Sequence, residues 1–181
     1  SLENARVAQI GKLADGHINH IVDPRVIYKN LKVNVSRDYE VEDIMALGEK
    51  ISAAEVEAEY KKLIGVVKIG KASEEKIRYS VQMYLAINKV VKENNYSAVA
   101  FSCWPKLMPK KEMVGCLVNS MLNSIGVPGG CEADVLSTIS MLVLSSLTEK
   151  PVATMDLPKF DEKDDSLLLW HCGSAPKEMA N

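Results

Sequence analysis

The chain has 181 residues, 47% of them apolar, with 22 basic against 24 acidic side chains and a formal net charge of −2. That length buries a core in one α/β domain, with room for a small appendage, and is short for two full domains. The balanced charge gives no broad attraction to nucleic acid or an anionic membrane, and no apolar run reaches the roughly 18 residues of a membrane span.

Residues 1 to 20 lack the basic-then-apolar order of a secretory signal, so the expectation is a cytoplasmic protein. Its expected partner is a small molecule or another copy of itself, with no nucleic acid and no membrane. Cys103, Cys116, Cys131 and Cys172 are widely spaced with no CxxC pair, which predicts mostly reduced core thiols rather than a zinc cluster or a redox motif.

In chain order, Val7 to Ile10 reads as a first strand ending at Gly11. Asp23-Pro24 supplies an N-cap acid and a proline at the first helical position, so 24 to 30 is a short helix and 31 to 35 a second strand. Residues 40 to 51 read as helical, and Ser52-Ala53-Ala54-Glu55 is a capping box opening a helix to about Leu63. Ser73 caps the clearest amphipathic helix, 74 to 93, with Ile77, Val81 and Leu85 at helical spacing.

Ala98 to Ser102 fits a buried strand that delivers Cys103-Trp104-Pro105 to its carboxyl end. A helix over 111 to 125 stops at Gly126, and the short, glycine-interrupted segment 127 to 131 aims Glu132. Residues 133 to 147 are apolar on nearly every face, as in a helix packed on several sides. Pro151 to Asp156 and Leu167 to Cys172 are the last strands, joined across the acidic turn 161 to 165. Alternating strands and helices predict a Rossmann-like, mostly parallel sheet with helices on both faces. Ligands of such sheets sit outside the carboxyl ends of the strands, where Trp104, Glu132 and Asp156 are expected to gather on one rim.

Several motifs carry less. Gly65 to Ala72 approaches a phosphate-binding loop but lacks the hydroxyl that Ala72 replaces. His17 and His20 fall in a loop whose only nearby acids in sequence are Asp15 and Asp23, which reads as a surface loop. Lys106, Lys110 and Lys111 read as a solvated basic loop. An acid before a helix, such as Glu132 or Asp134, is commonly a cap. Next to apolar elements, however, Glu132 and Asp156 are expected to be buried, which is costly without compensation such as a metal ion.

Four blocks in order, Ala98 to Pro105, Gly126 to Asp134, Lys150 to Asp156 and Leu169 to Pro176, resemble the L-fucose isomerase and L-arabinose isomerase superfamily, particularly its fucose-isomerase-like members. The resemblance implies an aldose–ketose isomerase working through an enediol with a divalent cation, most commonly Mn2+. It implies that Glu132 and Asp156 bind the metal and exchange protons, that Trp104 faces a sugar substrate, and that His171 faces the same site. It also implies a homo-oligomer, a Rossmann-like domain over 1 to 150, and the opening strands of a strand-rich C-terminal domain over 151 to 181. The family's remaining metal-binding histidine comes from further along the chain, so 1 to 181 is expected to be a piece that turns over little alone. The alternative is a non-catalytic sugar-binding or assembly module.

Overall fold

The computed structural model describes residues 2–104 and 106–179, which leaves Pro105 outside the described residues. Four strands, β1 (Arg6–Ile10), β2 (Asn34–Tyr39), β3 (Ala98–Phe101) and β4 (Gly129–Cys131), form a parallel sheet in the order β2-β1-β3-β4. Their carboxyl ends therefore share one edge. The order reverses beside β1, so the crevice of a doubly wound sheet lies outside β1 and β3.

Side chains alternate strictly across the sheet. Ala8, Ile10, Val99 and Phe101 pack into one core, and Val7, Ala98 and Ala100 into the other. The first core is closed by α2 (Val41–Gly48), α3 (Ala53–Ile64), α4 (Glu74–Asn94) and α6 (Cys116–Ser124), the second by α1 (Pro24–Leu31) and α7 (Val135–Thr148). Helices thus cover both faces, as the alternation of elements predicts.

Helix starts follow the caps read in the sequence. Asp23 accepts from the Arg25 amide at 2.9 Å, Ser52 and Glu55 form a reciprocal capping box, and Ser73 accepts from the Lys76 amide. Lys32 and Asn95 close α1 and α4 in the left-handed conformation.

Three boundaries differ from the expectation. The second strand starts at Asn34 rather than 31, because α1 keeps Leu31 and turns at Lys32. The helix expected over 111 to 125 is two pieces, α5 (Leu107–Lys111) and α6, interrupted where Glu112 takes a φ of 48°. Residues 151 to 155 form no strand, so Asp156 opens β5 (Asp156–Asp161) instead of ending a strand. β5 pairs antiparallel with β6 (Ser166–Trp170) as a separate two-stranded sheet.

β4 is short and glycine-rich because helices press on both of its faces. A Cβ at Gly129 would stand 3.2 Å from Asn119, and one at Gly130 only 2.0 Å from Thr138 Oγ1 on α7. Asn123 clamps the strand from the other side, accepting from the Gly129 amide at 2.7 Å, and Asn119 donates to the Gly130 carbonyl. This packing fixes where β4 releases the chain at Glu132. Among the described residues no helix is long and apolar enough to cross a membrane.

Candidate functional site

Glu132 leaves the end of β4 in an unusual backbone conformation. Both Glu132 and Ala133 have positive φ, 57° and 56°, in the left-handed region that residues bearing a Cβ seldom adopt. The double turn is held by the Asp134 amide donating to the Cys131 carbonyl at 3.0 Å, by burial of Ala133, and by Asp134 capping α7 through the Ser137 amide at 3.0 Å. Backbone strain that the surroundings impose in this way concentrates at functional sites. Here it turns the Glu132 carboxylate outward over the rim, with its side chain 47% exposed.

The burial expected for the acids is therefore not what the fold provides. Glu132 is exposed because the left-handed pair swings it away from the α7 core, and Asp156 is exposed because it opens a solvent-facing hairpin. No hydrogen bond or ion pair engages the Asp156 carboxylate among the described residues.

What faces Glu132 is the loop after β1. His17 Nδ1 stands 4.0 Å from Glu132 Oε2, and His20 Nε2 stands 3.6 Å from Asp134 Oδ2. A turn of 3-10 helix over Ile18–His20 brings the imidazoles together, since residues three apart eclipse in that geometry. Their ring centroids are 5.2 Å apart. One donor atom from each of His17, His20 and Glu132 lies within 4.8 Å of the others. The reading of His17 and His20 as an isolated surface loop is thus corrected: the third ligand type is over a hundred residues away in sequence and comes from the neighbouring rim loop. The signal that could have found it is the rule that loops after β1, β3 and β4 converge.

Both Nδ1 atoms are buried and lack a hydrogen-bond partner among the described residues. Buried imidazole nitrogens left without partners are costly. Together with a carboxylate they form a donor set that suits a divalent first-row cation.

Trp104 follows β3 on the same edge, 43% exposed, with its carbonyl accepting from Ser102 Oγ. Register places Phe101 of β3 beside Cys131 of β4, so Trp104 and Glu132 leave adjacent strands. His171 follows β6, where its Nδ1 accepts from the Cys172 amide at 2.9 Å and lies 3.3 Å from Ser174 Oγ. Cys172 Sγ is 3.3 Å from Cys116 Sγ at the start of α6, so the structure brings His171 to the first turn of a rim helix. Thr154 Oγ1 lies 3.1 Å from Ser137 Oγ on the first turn of α7, so the chain passes the start of that helix before Asp156.

The cysteines, far apart in sequence, meet here in pairs. A hydrogen bond from Cys131 lowers the Cys103 thiol below the ordinary thiol range, against desolvation, while Cys131 is pushed up by that same bond and by burial. Cys116 is pushed up by burial and then by Cys172. The basic residues Lys106 and Lys110 are occupied by Glu42 Oε1, at 3.1 and 2.8 Å, and Lys111 lies over the Tyr79 ring. The basic loop is solvent-exposed, as expected, and two of its lysines share one carboxylate.

No family model matches the chain. It is similar to the sulfoquinovose isomerase of Clostridium sp. (strain MSTE9), 33% identical over 100 residues that cover 55% of this chain and 22% of the relative. It is also similar to the sulfoquinovose isomerase of Priestia aryabhattai, 28% identical over 140 residues that cover 77% of this chain and 30% of the relative. A third, from Alkalicoccus urumqiensis, is 28% identical over 100 residues covering 55% and 23%. The chain aligns with less than a third of the length of the curated relatives it matches. Its homologues are sugar isomerases by name, at modest identity over part of each chain.

Proposed function

We propose that the chain is part of a metal-dependent aldose–ketose isomerase of the fucose-isomerase-like kind, with Glu132 as a proton-transferring carboxylate and a sulfonated sugar such as sulfoquinovose as the first substrate to test. The observation that carries the reading is Glu132 itself: a carboxylate held by a strained double turn on the ligand-binding edge of a doubly wound sheet, facing two histidines with unpartnered nitrogens. Sulfoquinovose isomerase relatives support the reaction class.

Interconversion of aldose and ketose requires removal of a proton from one carbon beside the carbonyl and its return to the neighbouring carbon. A carboxylate that is fixed at its backbone but open to the crevice performs both steps as base and then acid. Glu132 and Asp156 are the residues expected to hold a divalent cation, Mn2+, which when bound would polarise the carbonyl and stabilise the enediolate. Trp104 offers a flat apolar face for the sugar ring beside Glu132, and His171 a further polar group. Asp156 sits at the mouth of an exposed hairpin, and its approach to Glu132 depends on how that hairpin is held.

The hairpin favours a piece of a larger assembly. Leu157, Phe160, Leu167, Leu168, Leu169 and Trp170 are each at least 44% exposed, an apolar surface that a longer chain or a neighbouring subunit would cover. The same surface fits the rival reading of a non-catalytic assembly module. The two separate in a protein of the relatives' full length. Glu132→Gln or Asp156→Asn abolishes isomerisation there while circular dichroism is unchanged, whereas an undiminished rate in either variant removes that residue from the mechanism.

A further inference from the structure

We propose that His17, His20 and Glu132 form a cation site complete within this chain, with Asp134 orienting His20, and that it selects a first-row transition ion over Mg2+ or Ca2+. The ligands come from two rim loops, the turn after β1 and the double left-handed turn after β4. Donor atoms each about 2.1 Å from a shared ion stand roughly 3 to 3.5 Å apart. The 4.0 Å between His17 Nδ1 and Glu132 Oε2 and the 4.8 Å limit on the three ligands thus require the two loops to close by about 0.5 to 1.5 Å around the ion.

The two ends of His20 have separate tasks. Nε2 faces Asp134 Oδ2 at 3.6 Å, the relation of a carboxylate that holds a metal-binding imidazole in place from behind. This leaves Nδ1, buried and unpartnered, as the nitrogen free to bind an ion, and the Nδ1 of His17 is in the same condition. Asp134 itself is anchored because its other oxygen, Oδ1, caps α7 through the Ser137 amide. The tie runs from helix to carboxylate to imidazole to ion.

Two imidazoles with one carboxylate suit Mn2+, Fe2+, Co2+ or Zn2+, whereas Mg2+ and Ca2+ prefer oxygen throughout. Three protein donors leave positions open on a six-coordinate ion for Asp156, the further ligand of the isomerase reading, and for a chelating ligand. That the open positions take the two oxygens of a sugar rests on the isomerase reading, but ion binding by the three residues does not.

The test uses purified chain 1 to 181 with Co2+ as a spectroscopic probe, followed by visible absorption and calorimetry. The expected result is one Co2+ per chain with nitrogen-ligand bands, displaced by Zn2+ but not by millimolar Mg2+. His17→Ala, His20→Ala and Glu132→Gln should each weaken binding by at least about tenfold, and Asp134→Asn by about tenfold. Circular dichroism reports whether each variant folds, and Glu132→Gln, which leaves the histidine loop intact, keeps the test valid if that loop collapses. Equal Co2+ affinity in the wild type and the folded variants, displacement by Mg2+, or no Co2+ binding overturns the proposal. If these variants lose Co2+ while Glu132→Gln in the longer protein still isomerises, the cation site stands and the isomerase role of Glu132 falls. If Glu132→Gln loses isomerisation while its Co2+ affinity is unchanged, the isomerase role stands and the cation site falls.

Discussion

Gly130→Ala tests whether the tight contact between β4 and α7 is what places Glu132. A Cβ at position 130 would meet Thr138 Oγ1 at 2.0 Å, Thr138 Cβ at 3.1 Å and the Asp134 carbonyl at 3.4 Å. Ordinary contacts are about 3.5 Å, so either the first turn of α7 retreats by more than about 1 Å or Thr138 rotates. Rotation gives up the hydrogen bond from its hydroxyl to the Asp134 carbonyl, 2.6 Å long. Overpacking costs about 1 to 3 kcal/mol and the lost bond about 1 kcal/mol, while the stiffer unfolded chain returns about 0.4 to 1 kcal/mol. The net is about 2 kcal/mol of destabilisation, read as a shift in urea midpoint.

Thr138→Ala removes the hydroxyl and leaves the 3.1 Å contact with Cβ and the 3.4 Å contact with the Asp134 carbonyl, so in that background Gly130→Ala should cost less than about 1 kcal/mol. Cobalt affinity should fall with the single Gly130 variant and recover partly in the double. Equal penalties in both backgrounds would refute the steric argument, and unchanged cobalt affinity would refute its link to Glu132.

Two further outcomes follow from the geometry. Mild oxidation should join Cys116 to Cys172, whose sulfurs are 3.3 Å apart and of which Cys172 is exposed to the oxidant. Peptide mapping identifies the bond, and failure of Cys116 and Cys172 to cross-link would contradict the placement of the 171 to 174 segment. Glu42 is held down from 4.5 to about 2 by hydrogen bonds from Lys110 and then Lys106. Its folded value is depressed, so its contribution is full above pH 4.5 and is lost as pH falls toward 2. The carboxylate is 38% exposed, so screening limits this to under about 1 kcal/mol. Glu42→Gln should therefore show a small stability deficit at pH 7 that narrows below pH 4.5, and a deficit that widens on acidification would contradict the sign.

Elements whose signals are local were legible in the sequence. The caps at Asp23, Ser52 and Ser73 depend on neighbours within a turn, and the core alternation of β1 and β3 on period two, so both could be read from the chain. Residues 151 to 155 misled because a short apolar run fits a strand or an extended segment equally. There Thr154 bonds sideways to Ser137 on α7 instead of joining a ladder.

At the site, Glu132 was legible from its place between a strand and a helix. Its partners were not, because loop-to-loop contacts depend on sheet order and on two non-glycine residues adopting left-handed φ, neither of which has a sequence signature. The same holds for the thiol pairs, which spacing argued against and the fold brings together.

The most direct test of the central claim is isotope transfer. A protein of the relatives' full length is incubated with sulfoquinovose in deuterated water, with and without Glu132→Gln, and the ketose product is examined by mass spectrometry and NMR. Because the Glu132 carboxyl is open to solvent, the proton it removes exchanges with deuterated water before return, which predicts deuterium at the carbon that receives it and loss of product in the variant. Turnover without deuterium, or a variant that exchanges as fast as the wild type, would contradict it.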